Sequence, residues 1–285
     1  MAQRANVFNG GFDEFRESVA DLAHCEFVME WGIKEAKNSV NRSLAVLRKR
    51  RQSEDSFAGG NAITVTNVFR PNNKFPIRAP GGVRTVEGKR ILELMDEMRA
   101  RFHSYLLVAT YERFEVLLKD YYAMLLYQLR GVVLPRKAKF HKEQPSMARK
   151  ANTLPYFRVY AGVACRQKCD EAITAFAKKL PLQTMTYTWH HGMPFQSILK
   201  CLSFCRNAIV HEEGRWPTGK ISLNKAEQEF VRSYMRISTL TNESTILPNH
   251  AEIDNVMEML VSYAYGLYVL FSRQFNMVVA NSYFK

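Results

Sequence analysis

The sequence predicts an all-α helical bundle with a long N-terminal helix and one irregular, β-prone excursion. Two observations carry this. Apolar residues recur at spacings of three and four over most of the chain, the signature of amphipathic helices. β-branched and turn-forming residues are instead concentrated in residues 53–87. Helical segments around a single excursion, with no internal repeat, imply helices packed on helices.

The first helix is expected from Phe12 to about Lys49. Its stripe runs through Phe12, Phe15, Val19, Leu22, Met29, Ile33, Ala36, Val40, Leu44 and Leu47, interrupted at Glu26. At 1.5 Å per residue it is roughly 54 Å long, enough to line one side of a bundle or reach a second subunit. It ends in Arg48-Lys49-Arg50-Arg51, a solvated terminus or a nucleic-acid contact. Next, Ile63 to Phe69 is β-branched, and Asn72, Asn73, Pro76, Pro80, Gly81 and Gly82 are turn formers, so a short hairpin within a long loop is expected. Helix resumes from Thr85 to Arg130 as one bent helix or two, closed by Gly131. Phe140–Tyr156, with Pro145 and Pro155, reads as a basic connector. Val159–Leu180 reads as helix, Pro181–Pro194 as loop and Phe195–Glu213 as a largely buried helix stopped by Gly214. A shorter helix to about Ile237 opens with Asn224 as cap and Glu227 at N3. Glu252–Met277 is the last helix. The expected organisation is a long N-terminal helix in 1–52, the excursion in 53–87 and a helical domain in 88–285.

Composition narrows the function classes. With 285 residues, 47% apolar and 24% charged, the chain has the make-up of a soluble globular protein. No uninterrupted apolar run approaches a membrane span, and Met1–Asn9 lacks an export pattern. A cytoplasmic protein with no membrane partner is expected. Five cysteines fit a reducing compartment. Cys165/Cys169 and Cys201/Cys205 are i,i+4 pairs, a spacing that fits core packing better than a structural zinc site. No metal and no cofactor are expected.

The net charge of +13 is uneven. Arg130–Lys179 holds twelve basic residues against Glu143, Asp170 and Glu171, whereas Arg206–Lys285 is balanced at eight and eight. Such an excess attracts phosphates or solvates a loop. Arg136, Lys137, Lys139, Lys142, Arg149 and Lys150 are the candidate RNA contacts.

The chemistry-bearing run is Cys205-Arg206-Asn207-Ala208-Ile209-Val210-His211-Glu212-Glu213-Gly214. Asn207 and His211 share a helix face at i,i+4, and Arg206 is long enough to swing back towards His211. A guanidinium clamps a phosphate with two donors. An imidazole exchanges a proton near neutrality, and the amide orients either one. No His or Asp stands at a helical spacing from His211 that would make a metal site. The same Arg and His also fit a plain hydrogen-bonding pair. His190 and His191 are accessory candidates or ordinary loop histidines. Trp189 and Trp216 are base-stacking candidates or loop packing.

Arg-Asn-Ala-Ile-Val-His followed by acidic residues and glycine resembles the Rx4-6H signature of the HEPN superfamily. The likeness extends more loosely to the helix carrying Tyr111-Glu112-Arg113-Phe114-Glu115 and to the terminal helix, covering roughly Gly88–Lys285. The resemblance implies a HEPN-like helical bundle that dimerises, with two motifs meeting in a cleft. It implies metal-independent endoribonuclease activity in defence or stress, with RNA as substrate and an antitoxin or other defence-system protein as a further partner. Arg206 would engage the scissile phosphate, His211 would serve proton transfer or placement of the 2′-hydroxyl, and Asn207 would hold both. Attack of the 2′-oxygen would leave a 2′,3′-cyclic phosphate and a 5′-hydroxyl. Other members of such a family are catalytically silent, so the alternative is a non-catalytic module of the same fold binding RNA, a nucleotide or a protein. A purely structural helical interaction protein is the third class. Glu212 and Glu213 depart from what a phosphate site favours.

Overall fold

An aromatic stripe fixes the start of the N-terminal helix. In the computed structural model, which describes residues 6–50, 57–59, 63–65, 77–79, 84–86, 88–129, 137–164, 193–216, 222–235, 237–239 and 244–279, α1 spans Asn9–Lys49. Phe8, just before it, and its own Phe12, Phe15 and Val19 are buried. Phe8 stacks on Phe271 at 5.0 Å and meets Tyr121 edge-on at 5.6 Å, while Phe12 stacks on Tyr268 at 5.5 Å. Each buried aromatic contributes roughly 1.5–3 kcal/mol from area alone. Asn6 closes this end, donating to the Val278 carbonyl at 2.7 Å and to Ser272 Oγ at 2.8 Å.

After α1 come β1 (Phe57–Gly59), β2 (Ile63–Val65), β3 (Ile77–Ala79) and β4 (Arg84–Val86), then α2 (Gly88–Gln128). Next are α3 (Lys137–Glu143), α4 (Pro145–Ala148), α5 (Leu154–Ala164), α6 (Phe195–His211) and α7 (Lys225–Tyr234). The hairpin strands β5 (Ile237–Thr239) and β6 (Ser244–Ile246) precede α8 (His250–Gln274). Strand pairing is antiparallel in three two-stranded ladders, β1–β4, β2–β3 and β5–β6. The described residues therefore form an all-α helical bundle with a long N-terminal helix, decorated by three-residue strands. Among the described residues no helix is long and apolar enough to cross a membrane.

The backbone divides into two compact units. The larger holds the described residues up to Glu26 and those from Phe102 onward. Its core joins α1, α2, α5, α6, α7 and α8 through buried side chains such as Phe114, Leu118, Tyr160, Leu202, Val231 and Leu267. The smaller comprises Phe27–Arg101, in which α1 and α2 run antiparallel. Glu30 accepts from Arg99 at 2.6 Å, Lys37 donates to Asp96, and Leu44 lies against Gly88. A Cβ on Gly88 would come within 2.4 Å of Leu44 Cδ2, so the missing side chain lets the helices close.

Several elements differ from the sequence reading for identifiable reasons. Residues 88–128 form one uninterrupted helix, because no Gly or Pro interrupts them after Gly88. The connector contains two short helices. Pro145 stands in the first turn of α4, where its missing N–H costs nothing, and Phe140 is buried against Tyr156 and Tyr160. The β5–β6 hairpin is additional, built from Ile237-Ser238-Thr239 and Ser244-Thr245-Ile246. The part of the expected Val159–Leu180 helix beyond Ala164, residues 181–192 of the expected loop and most of the expected excursion lie outside the described residues.

Candidate active site

The motif helix α6 buries one face and leaves the other open. Phe195, Ile198, Leu199, Cys201, Leu202, Cys205, Ala208 and Ile209 are buried, at the spacing of a core-facing stripe. Asn207, Val210 and His211 are exposed, and Arg206 is half-buried. The polar groups thus occupy the open side, not the interior that a largely buried helix implied. Three apolar residues per two turns suffice to anchor a helix, so the intervening positions are free for chemistry.

The end of α6 is defined by backbone geometry. Gly214 and Glu212 both donate their N–H to the Ala208 carbonyl at 2.9 Å, satisfying a carbonyl left open at the helix end. Glu213 has φ 55° and Gly214 φ 82°. Gly214 also accepts from the Ile246 N–H at 2.8 Å, and a Cβ there would come within 3.3 Å of Thr245 Cγ2. Glycine is required by both conformation and proximity. The closure leaves His211 as the last helical residue, beside a turn pinned to β6.

Arg206 points to α2. Its Nη2 donates to Glu112 Oε1 at 2.9 Å and its Nη1 to Asn207 Oδ1 at 3.1 Å. Its Nε is buried without a hydrogen-bond partner. No hydrogen bond joins Arg206 to His211 among the described residues. The Glu112 carboxylate sets the guanidinium's orientation, with Asn207 as a second acceptor from the adjoining residue. Nothing local in the sequence marks Glu112 for this role, since its partner lies 94 positions away. Along α2, Tyr105 and Val116 are exposed on the same side as Glu112, two turns before and one turn after it. The open surface therefore combines a cation, an amide and an imidazole with exposed Tyr105, Val116 and Val210.

Neighbouring polar groups are partly committed elsewhere. Glu213 lies 3.4 Å from Arg215, and Glu212 is exposed. Trp216 packs edge-on against Phe204 at 5.3 Å and lies beneath Arg232, so it serves packing. Trp189, His190 and His191 lie outside the described residues.

On α7, Asn224 and Glu227 form a complete capping box. The Glu227 carboxylate also takes Lys200 Nζ of α6 at 2.7 Å. Burial raises the Glu227 carboxyl, but hydrogen bonds from Lys200 and the Asn224 N–H outweigh it, and the net shift is downward. Cys201, its thiol pushed up to about 12 by burial, points to the Glu227 carbonyl at 3.6 Å. Burial raises Cys205 as well. Both act as core residues; Cys165 and Cys169 lie outside the described residues.

Of the candidate RNA contacts, Lys142, Arg149 and Lys150 are exposed at α3 and α4. Lys137 and Lys139 belong to α3 by backbone, and Arg136 lies outside the described residues. Arg158 of α5 is engaged by Asp120 at 3.3 Å.

Comparison of the chain with protein-family models, curated proteins and solved structures finds no match.

Proposed function

We propose that the chain is a HEPN-type, metal-independent endoribonuclease acting as a homodimer in defence or stress. The observation that carries the reading is Arg206, held on the open face of α6 by Glu112 and Asn207, with His211 exposed at the end of the same helix. Arg206 supplies donors to the scissile phosphate as charge builds on its oxygens. His211 exchanges the proton at the 2′-oxygen or at the leaving 5′-oxygen. The 2′-oxygen bonds to phosphorus, the bond to the 5′-oxygen breaks, and the products are a 2′,3′-cyclic phosphate and a 5′-hydroxyl. A second copy supplies the complementary Arg and His. Exposed Val210, Tyr105 and Val116 beside the polar groups support burial of this face against that copy.

The test is incubation with single-stranded RNA and its all-deoxy analogue in excess EDTA. Cleavage of the RNA alone is expected. Loss of activity on chelation with recovery in magnesium overturns the mechanism. The Arg206–Glu112 ion pair also favours one rival reading, a non-catalytic module of the same fold whose guanidinium is an interhelical tie. That rival predicts binding of RNA, a nucleotide or a protein with no cleavage.

A further inference from the structure

Glu26 interrupts the apolar stripe of α1, and its carboxylate is 1% exposed. Its Oε1 lies 2.8 Å from His250 Nδ1 and 3.4 Å from His103 Nε2. Asp254, one turn beyond His250 on α8, stands 3.5 Å from His250 Nε2. Ligand atoms of Glu26, His250 and Asp254 all lie within 4.8 Å of one another. Glu26 of α1 and His250 and Asp254 of α8 thus bring one imidazole and two carboxylates together, with His103 of α2 beside Glu26.

Two adjacent carboxylates, one of them buried, repel unless a cation or proton lies between them. Two ligands about 2.0–2.1 Å from a tetrahedral zinc-class ion are separated by roughly 3.3 Å, close to the 3.5 Å between His250 Nε2 and Asp254 Oδ2. The i,i+4 pair His250/Asp254 presents both side chains on one helix face. Imidazole with carboxylate is a donor set that suits zinc.

We propose that Glu26, His250 and Asp254 form a binding site for a divalent transition metal ion of zinc type, joining α1 and α8. The ion replaces the Glu26–His250 hydrogen bond and neutralises the paired carboxylates. None of the three residues belongs to α6, so the site is structural and does not rest on the ribonuclease reading.

The experiment uses the full chain, stripped with chelator and dialysed, then titrated with zinc against a chromogenic chelator and with cobalt as a spectroscopic probe. Expected are one equivalent per chain, a visible cobalt spectrum of tetrahedral type and a higher melting temperature with zinc. His250→Ala and Asp254→Asn, both at exposed positions, should each weaken binding by at least about tenfold, the scale of losses at metal sites. They should retain the helical circular dichroism of the parent. Glu26→Gln is a supplementary variant only, because its burial risks the fold. No stoichiometric uptake, or wild-type affinity in both exposed variants, overturns the proposal.

Discussion

Arg206 of the motif helix donates to Glu112 of α2 across 2.9 Å, with side chains 28% and 49% exposed. A pair this open contributes about 0–1 kcal/mol, so Glu112 is an exchangeable partner. On the proposed reading, a phosphate competes for the same guanidinium donors at little cost to the fold. Glu112 would then both orient Arg206 and oppose anion binding.

Glu112→Gln separates these effects. RNA affinity at low salt should rise several-fold as the competing charge goes, whereas the cleavage step should slow because the guanidinium is less firmly oriented. Binding by fluorescence anisotropy and single-turnover kinetics check the two halves. Weaker binding in this variant would mean that Glu112 does not compete with the substrate.

Substitutions on α6 should rank by role. His211→Ala should abolish cleavage, by at least about a hundredfold, while RNA affinity is largely retained. Arg206→Ala should lose both, since the guanidinium meets the phosphate before and during reaction. Asn207→Ala should be milder than either. Full activity in a folded His211→Ala chain would remove that residue from the chemistry.

The sequence made some of this plain. Ile198, Leu199, Leu202 and Ile209 mark α6, Gly214 marks its end, and Asn224 with Glu227 marks the start of α7, because periodicity and capping are local properties. Partnerships across the fold were not legible. Glu112 meets Arg206, and Glu26 meets His103 and His250, only after helices pack; Glu26 showed itself merely as a break in an apolar stripe. The orientation of Arg206 away from His211 is likewise set by α2. Pro145 misled because proline both breaks a helix and begins one. The β5–β6 hairpin is too short for strand periodicity to stand out.

Glu227 couples the motif helix to α7. Glu227→Ala loses the Lys200 pair and half of the capping box, and should cost about 2 kcal/mol by denaturant unfolding. For the milder Glu227→Gln, pH fixes the sign. The folded carboxyl lies below its ordinary value of 4.5, so its stabilisation is complete above that pH and is lost as pH falls through the folded value. The difference between wild type and Glu227→Gln should be present at neutral pH and vanish in acid. A difference constant with pH would contradict the ionised pair.

The basic connector should act at long range. Reversing exposed Lys142, Arg149 and Lys150 to Glu should weaken RNA binding at low salt and flatten the dependence of affinity on salt, with the oligomeric state unchanged. An unaltered slope, measured by titration at several salt concentrations, would assign these residues to solvation.

The central claim is most directly tested by the termini left on a defined single-stranded RNA. Cleavage in excess EDTA should be run below the melting temperature of the chelator-treated chain, and the fragments identified by mass spectrometry. The account predicts a 2′,3′-cyclic phosphate on one fragment and a 5′-hydroxyl on the other, with neither formed by His211→Ala. Fragments bearing a 5′-phosphate, or identical products from the His211→Ala chain, would contradict it.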